Sequence, residues 1–172
     1  MKNKKNTLFS HSHTNSNIFD MKKNIFVFAA LLFLAFQAAA QADKVVGFWL
    51  TEEKDAQVQI VKAADGKYDG AIVWLDEPNE DNGTQKIDDE NPDPALQKRP
   101  ILGLQLLNDF IYNSKDKEWQ DGKIYDPDSG NTYDCYMWFD EDGNILKIKG
   151  FILGMRFIGR TSEWYRDNGL RN

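Results

Sequence analysis

Residues 43–172 hold no histidine and one cysteine, Cys135; both histidines, His11 and His13, lie nearer the N-terminus. That inventory removes a histidine general base, an imidazole metal ligand, the Ser-His-Asp and Cys-His arrangements and an intrachain disulfide from this part of the chain. Carboxylates and phenols remain. Eight acids (Asp76, Glu77, Glu80, Asp81, Asp88, Asp89, Glu90 and Asp93) share residues 76–100 with Pro78, Pro92, Pro94 and Pro100. So many oxygens raise the question of calcium, but the calcium-loop pattern fails: with Gly83 as its invariant glycine, Pro78 stands where the first carboxylate belongs. The expectation is a solvated acidic lid with no metal site and no cofactor. Tyr125-Asp126-Pro127 and Tyr133 set phenol donors beside a carboxylate acceptor at a tight turn, where they could line a barrel mouth. The plainer reading of Asp126 is a turn residue bonded to its own backbone. No nucleophile motif or carboxylate pair stands out, so no catalytic residue is assigned and no enzyme is expected.

These residues must be positioned by short β-type runs separated by turn chemistry, because no apolar i, i+3, i+4, i+7 stripe persists for three helical turns. Val45–Leu50 and Ala56–Ala63 read as strands, the second joined through Asp65-Gly66 to Tyr68–Leu75. Ile101–Tyr112 follows, with a break expected near Asn108-Asp109. Glu118–Tyr125 enters the turn Asp126-Pro127-Asp128-Ser129-Gly130, and Asn131–Phe139 returns. Ile145–Phe151 and Arg156–Arg166 complete the set. About eight hairpin-linked strands leave two open edges unless the sheet closes, so the fold class is all-β: a single up-and-down antiparallel β-barrel. Leu146, Ile148 and Gly150 alternate with Lys147 and Lys149, which makes one face wet and opposes an outer-membrane barrel. Tyr136 and Trp138 fall on an outer face that the long loop or a partner would cover. Gly47-Phe48-Trp49 on the first strand, with Arg160, Trp164 and Arg166 on the last, form the expected barrel base, where a guanidinium stacks on the indole for about 0.5–2 kcal/mol. Tyr125, Tyr133, Trp119 and Trp74 are the expected ligand-binding residues.

The N-terminal portion reads differently. Lys22 and Lys23, the apolar run Ile25–Phe36 and the small residues Ala38–Ala42 have the layout of a secretory signal, with cleavage expected after Ala42. The run is short of the ~20 residues that span a bilayer, so no membrane span is expected after cleavage. With no cysteine after it, the protein is not expected to be a lipoprotein. Met21-Lys22-Lys23 makes a normal start by itself, leaving Met1 and Met21 as alternative start sites. The organisation expected is therefore an extension plus cleaved signal over residues 1–42, one domain over 43–172 and a periplasmic or secreted location. Of 21 basic and 27 acidic residues, five and one precede residue 43, leaving 16 and 26 and a charge of −10. Such a charge repels phosphate and opposes nucleic-acid binding.

Gly47-Phe48-Trp49, Asn91 with Arg99-Pro100-Ile101-Leu102-Gly103-Leu104, Trp119 through Pro127, Gly130–Tyr133, Lys149-Gly150-Phe151 and Gly159–Arg166 occur in an order that resembles the DUF2147 family of exported bacterial proteins. The resemblance covers nearly all of residues 45–166. It implies a lipocalin/calycin-like barrel and export, and no particular activity. Two functions follow. The preferred one is a non-catalytic protein binding a small apolar or amphipathic ligand in the cell envelope; the alternative is an interaction module for an envelope protein partner, its barrel filled by side chains. Interior volume discriminates between them.

Overall fold

The computed structural model describes residues 27–28 and 40–172. The chain divides into two compact units, Met1–Ala40 and Gln41–Asn172. In the first, Val27 and Phe28 are helical, while Lys22, Lys23, most of the apolar run and both candidate start sites lie outside the described residues. No helix among the described residues is long and apolar enough to cross a membrane.

The second unit is a closed barrel of eight antiparallel strands paired in sequence order. They are β1 (Gly47–Leu50), β2 (Ala56–Lys62), β3 (Tyr68–Leu75) and β4 (Gln105–Asn113), then β5 (Glu118–Asp126), β6 (Asn131–Phe139), β7 (Ile145–Phe151) and β8 (Gly159–Asp167). β1 pairs with β8 through Phe48↔Asp167, Trp49↔Arg166 and Leu50↔Tyr165, so every strand has two neighbours and no edge is left to template aggregation. The alternation of β7 reads out as expected: Leu146 and Ile148 are buried, and Lys147 reaches outward to Glu163 on β8 at 3.0 Å.

Three elements differ from the sequence reading. Val45 does not begin a strand but ends a 3-10 helix, Asp43–Val45, because the chain turns into β1 through Gly47 at φ +136°. The fourth strand starts at Gln105, and Asp109 does not end it: at φ +64° it sits in a bulge, its N–H donating to Asp69 Oδ1 at 2.8 Å. The last strand starts at Gly159, and Arg156 belongs to the loop before it.

The barrel's two ends differ. One is packed by Trp49, Tyr68, Phe110, Trp119 and Met137, each 2% exposed or less. Phe139 touches Trp49 and Trp119 at ring separations of 5.7 and 5.4 Å, within the range where aromatic pairs add about 0.5–1.5 kcal/mol. The 3-10 helix plugs this end, and the groups beneath it hold its carbonyls. Trp49 Nε1 donates to the Val45 carbonyl at 2.8 Å, and Trp119 Nε1 to that of Ala42 at 3.0 Å. Arg166 donates to the carbonyls of Lys44 and Val46 while its guanidinium lies 4.2 Å from the Trp49 ring centroid. A side chain at position 47 would meet Arg166 Nη1 at 3.0 Å, so glycine is required there by both its φ and its neighbour. Asp43 accepts from Lys62 Nζ at 2.8 Å and from Tyr68 Oη at 2.6 Å, which holds its carboxyl below the usual range.

Candidate functional site

At the opposite end, the loops β1–β2, β3–β4, β5–β6 and β7–β8 surround a cavity of about 1010 Å³. Its apolar lining comes from inward-facing positions, among them Val58, Ile72, Leu106, Ile124, Ile148 and Trp164. The mouth carries Glu53, Asp55, Asp76, Glu77, Asp126 and Asp128, with Lys86 and Arg160 among them. The interior is thus solid in one half and hollow in the other, with volume for a small organic molecule.

The long β3–β4 connection forms one side of this mouth through Asp76, Glu77, Lys86 and Ile101. It is anchored on β5 through Tyr125. Asp88 has no exposed surface, and its carboxylate accepts from Tyr125 Oη at 2.5 Å, Asn91 Nδ2 at 2.7 Å and Arg99 Nε at 2.7 Å. Burial, together with the Asp88 carboxylate, pushes the Tyr125 phenol above its ordinary range. Bridges Asn79↔Gln85 and Ile87↔Pro100 fold the rest of the loop on itself. The Glu90 carbonyl would lie 2.0 Å from a Cβ at position 130, and Gly130, at φ +67°, lets the loop seat against the β5–β6 turn. Acidity alone suggested eight carboxylates in water; Asp88 is the exception, neutralised by a guanidinium and fully hydrogen-bonded.

The base, in which a Gly-x-Trp strand start is covered by a last-strand arginine, lies within a segment that matches a family model. Residues 47–166 match the family described as an uncharacterized protein conserved in bacteria, DUF2147. The chain belongs to the DUF2147 family. No curated protein matches it. A solved structure with the same fold is protein HP1028 from the human pathogen Helicobacter pylori, described as belonging to the lipocalin family; it aligns at a TM-score of 0.60 and 23% identity over 72% of this chain and 83% of that one. The lipocalin-like barrel is thereby established for this DUF2147 protein.

The DUF2147 barrel separates the residues that the sequence grouped. Tyr133 lines the cavity, as does Tyr125, although the Tyr125 hydroxyl is engaged by Asp88. Trp119 does not reach the cavity: it is fully buried at the closed end under Ala42. Trp74 is also outside. Regular alternation from Tyr68 through Ile72 would aim it inward, but the register shifts between Gln57 and Val58, so Val58 pairs with Ile72 and Gln57 with Trp74. That bulge adds Val73 and reverses the faces. Leu75 then lines the cavity, and Trp74 lies under the C-terminal tail, 5.2 Å from the Arg171 guanidinium.

Of the expected base residues, Gly47, Trp49 and Arg166 are at the closed end, while Arg160 and Trp164 line the cavity. Arg160 shares the inward face of β8 with Arg166, but six residues of strand rise separate them by about 20 Å. Its side chain is 82% exposed and pairs with Glu53 at 3.1 Å. Asp126 behaves as the plain turn reading expected, accepting from Ser129 Oγ at 2.6 Å and from the Asp128 N–H at 3.2 Å. The aromatic face of β6 is partly covered: Tyr136 stacks on Trp138 at 5.0 Å, and Arg156 of the β7–β8 loop lies 3.4 Å over the Tyr136 ring and pairs with Glu118, leaving both aromatics half-buried.

The group that sequence reasoning missed is Asp88 with Asn91 and Arg99. Its signal was present in part, since Asn91 and Arg99 are among the residues that carry the family resemblance, while residues 76–90 carry none of it.

Proposed function

We propose that this protein is a non-catalytic carrier that binds a small apolar or amphipathic molecule in the hollow half of its barrel, in the bacterial cell envelope. The observation that carries this reading is the asymmetry of the interior: an aromatic plug at one end and a cavity of about 1010 Å³ with an apolar lining at the other. A barrel packed shut by side chains, on which the interaction reading rested, lacks that space. The lipocalin-like fold supports the same reading, since barrels of this size suit one small ligand. The test is titration with the neutral fluorescent probe N-phenyl-1-naphthylamine. Saturable one-to-one enhancement, lost when Ser162 on the cavity wall is changed to Trp, is expected. A probe that fails to bind, or binds the variant equally, contradicts the proposal.

Export belongs to the same proposal and rests on the signal-like layout of residues 22–42. The barrel's contacts favour processing between Ala40 and Gln41. The Ala42 carbonyl accepts the Trp119 indole N–H, and Ala42 packs in the core. Cleavage after Ala42 would remove that acceptor and leave a buried donor unpaired at a cost of about 1–3 kcal/mol.

A further inference from the structure

We infer that the ligand of this cavity is an amphiphile with a cationic head, such as an aliphatic amine or quaternary ammonium compound, held with its apolar body in the barrel and its charge at the rim. The inference rests on the binding function proposed above and adds the chemistry of the head group.

The apolar half of the argument is the depth of the cavity. Val58, Ile72, Ile148 and Trp164 are each 4% exposed or less, and they come from β2, β3, β7 and β8, so opposed walls of the barrel are hydrocarbon. A chain entering there leaves water on all sides at about 25 cal/mol per Å² of buried area, which fixes the orientation of any amphiphile: tail inward, head at the loops.

The polar half is the sign of the rim. Of its six carboxylates, two are paired: Glu53 with Arg160 at 3.1 Å, and Glu77 with Lys86 at 3.7 Å. These two pairs use both cations of the cavity lining. Asp55, Asp76, Asp126 and Asp128 form no ion pair among the described residues and come from two loops and the β5–β6 turn region around the mouth. Asp55 and Asp126 accept neutral hydrogen bonds from Thr51 and Ser129, which orient them without removing their charge. An anionic head, such as a fatty acid carboxylate, would have to displace Glu53 or Glu77 from its partner and face four further negative charges. A cationic head meets the four carboxylates that have no cation of their own. Low-dielectric walls concentrate that field at the mouth, so it acts both on the approach and on the bound state.

The experiment is displacement of N-phenyl-1-naphthylamine by three amphiphiles of equal chain length: dodecyltrimethylammonium, dodecanol and dodecanoate, each below its aggregation threshold and at low salt. The cation is expected to displace the probe at about one-tenth the concentration required of the anion, with the alcohol between them, and 0.5 M NaCl should compress the spread. The double variant Asp76→Asn, Asp128→Asn should reduce the cation-to-anion ratio to about threefold, while Asp116→Asn, Glu141→Gln at the closed end should leave it unchanged. Binding of alcohol and anion at least as tight as that of the cation overturns the head-group inference while the binding function stands. A preference that persists in the mouth variant, or that falls in the closed-end variant, overturns it as well. If neither the probe nor any amphiphile binds, the proposed function fails first and the inference with it.

Discussion

Asp88 should hold the long loop down without holding the barrel together. Replacing it with Ala removes a fully buried carboxylate that accepts three hydrogen bonds, from Tyr125, Asn91 and Arg99. The hydroxyl of Tyr125 and the amide of Asn91 then lose their principal acceptor in a site closed to water, while Arg99, whose side chain is 35% exposed, can turn to solvent. Breaking a buried charged group of this kind costs about 3–5 kcal/mol. Apart from this anchor, residues 76–100 are held mainly by turn and bridge hydrogen bonds within the loop itself, so that loss falls on local opening of the loop. The strand ladder contains no bond from Asp88 and should survive. At 1.4 kcal/mol per decade, opening should become at least about 10²-fold more populated. Limited trypsinolysis at Lys86 and Lys98, read beside amide hydrogen exchange, measures this directly, because cleavage tracks the open population when closing is fast. Asp88→Asn keeps the shape but not the charge and should fall between wild type and Asp88→Ala. Rapid exchange confined to residues 76–100 is the expected result. An Asp88→Ala protein whose loop exchanges as slowly as wild type, or whose strands exchange as fast as its loop, would refute the reasoning.

At the closed end, Trp49→Ala should cost about 3–5 kcal/mol through the cavity it leaves, Arg166→Ala about 1–2 kcal/mol, and Arg160→Ala less than about 0.5 kcal/mol, all read from urea denaturation midpoints. Equal effects of the two arginines would show that the base is misassigned. Burial, helped by Asp43, pushes the Tyr68 phenol up to about 12. As pH rises from 10 to 12 the unfolded chain releases this proton while the folded chain keeps it, so stability is intact below about pH 10 and should fall by about 2 kcal/mol across that window. Lys62, raised by its bond to Asp43, acts in the same direction, and Tyr68→Phe should flatten the slope over pH 10–12 in thermal melts. Exported protein should begin at Gln41; N-terminal sequencing that finds Asp43, Met21 or Met1 would count against processing at that bond.

The fold was legible because its information is local. Period-two alternation in Ile145–Phe151, turn residues at Asp65-Gly66 and Asp126–Gly130, and the count of strands together leave little but a closed barrel. The 3-10 plug was not legible, because Val45 reads as strand until Arg166 and Trp49 are known to lie beneath it. Side-chain direction failed at Trp74, expected among the ligand-binding residues, because a single bulge in the β2–β3 register turns it out of the cavity. It failed differently at Arg160: the face was right, but six residues of strand put it at the wrong end. Asp88 was hidden by its neighbours. Seven other acids in the same stretch gave a composition that reads as solvated, and only a tertiary partner, Tyr125 on a strand far along the chain, reveals the one that is buried.

Native mass spectrometry of the protein purified from its cell envelope, without organic solvent, tests the central claim most directly. The account predicts a small molecule of a few hundred daltons bound one to one, released on collisional activation and missing from the Ser162→Trp variant. Bare protein in both samples, or an adduct that the variant retains, would contradict a carrier function for the hollow half of the barrel.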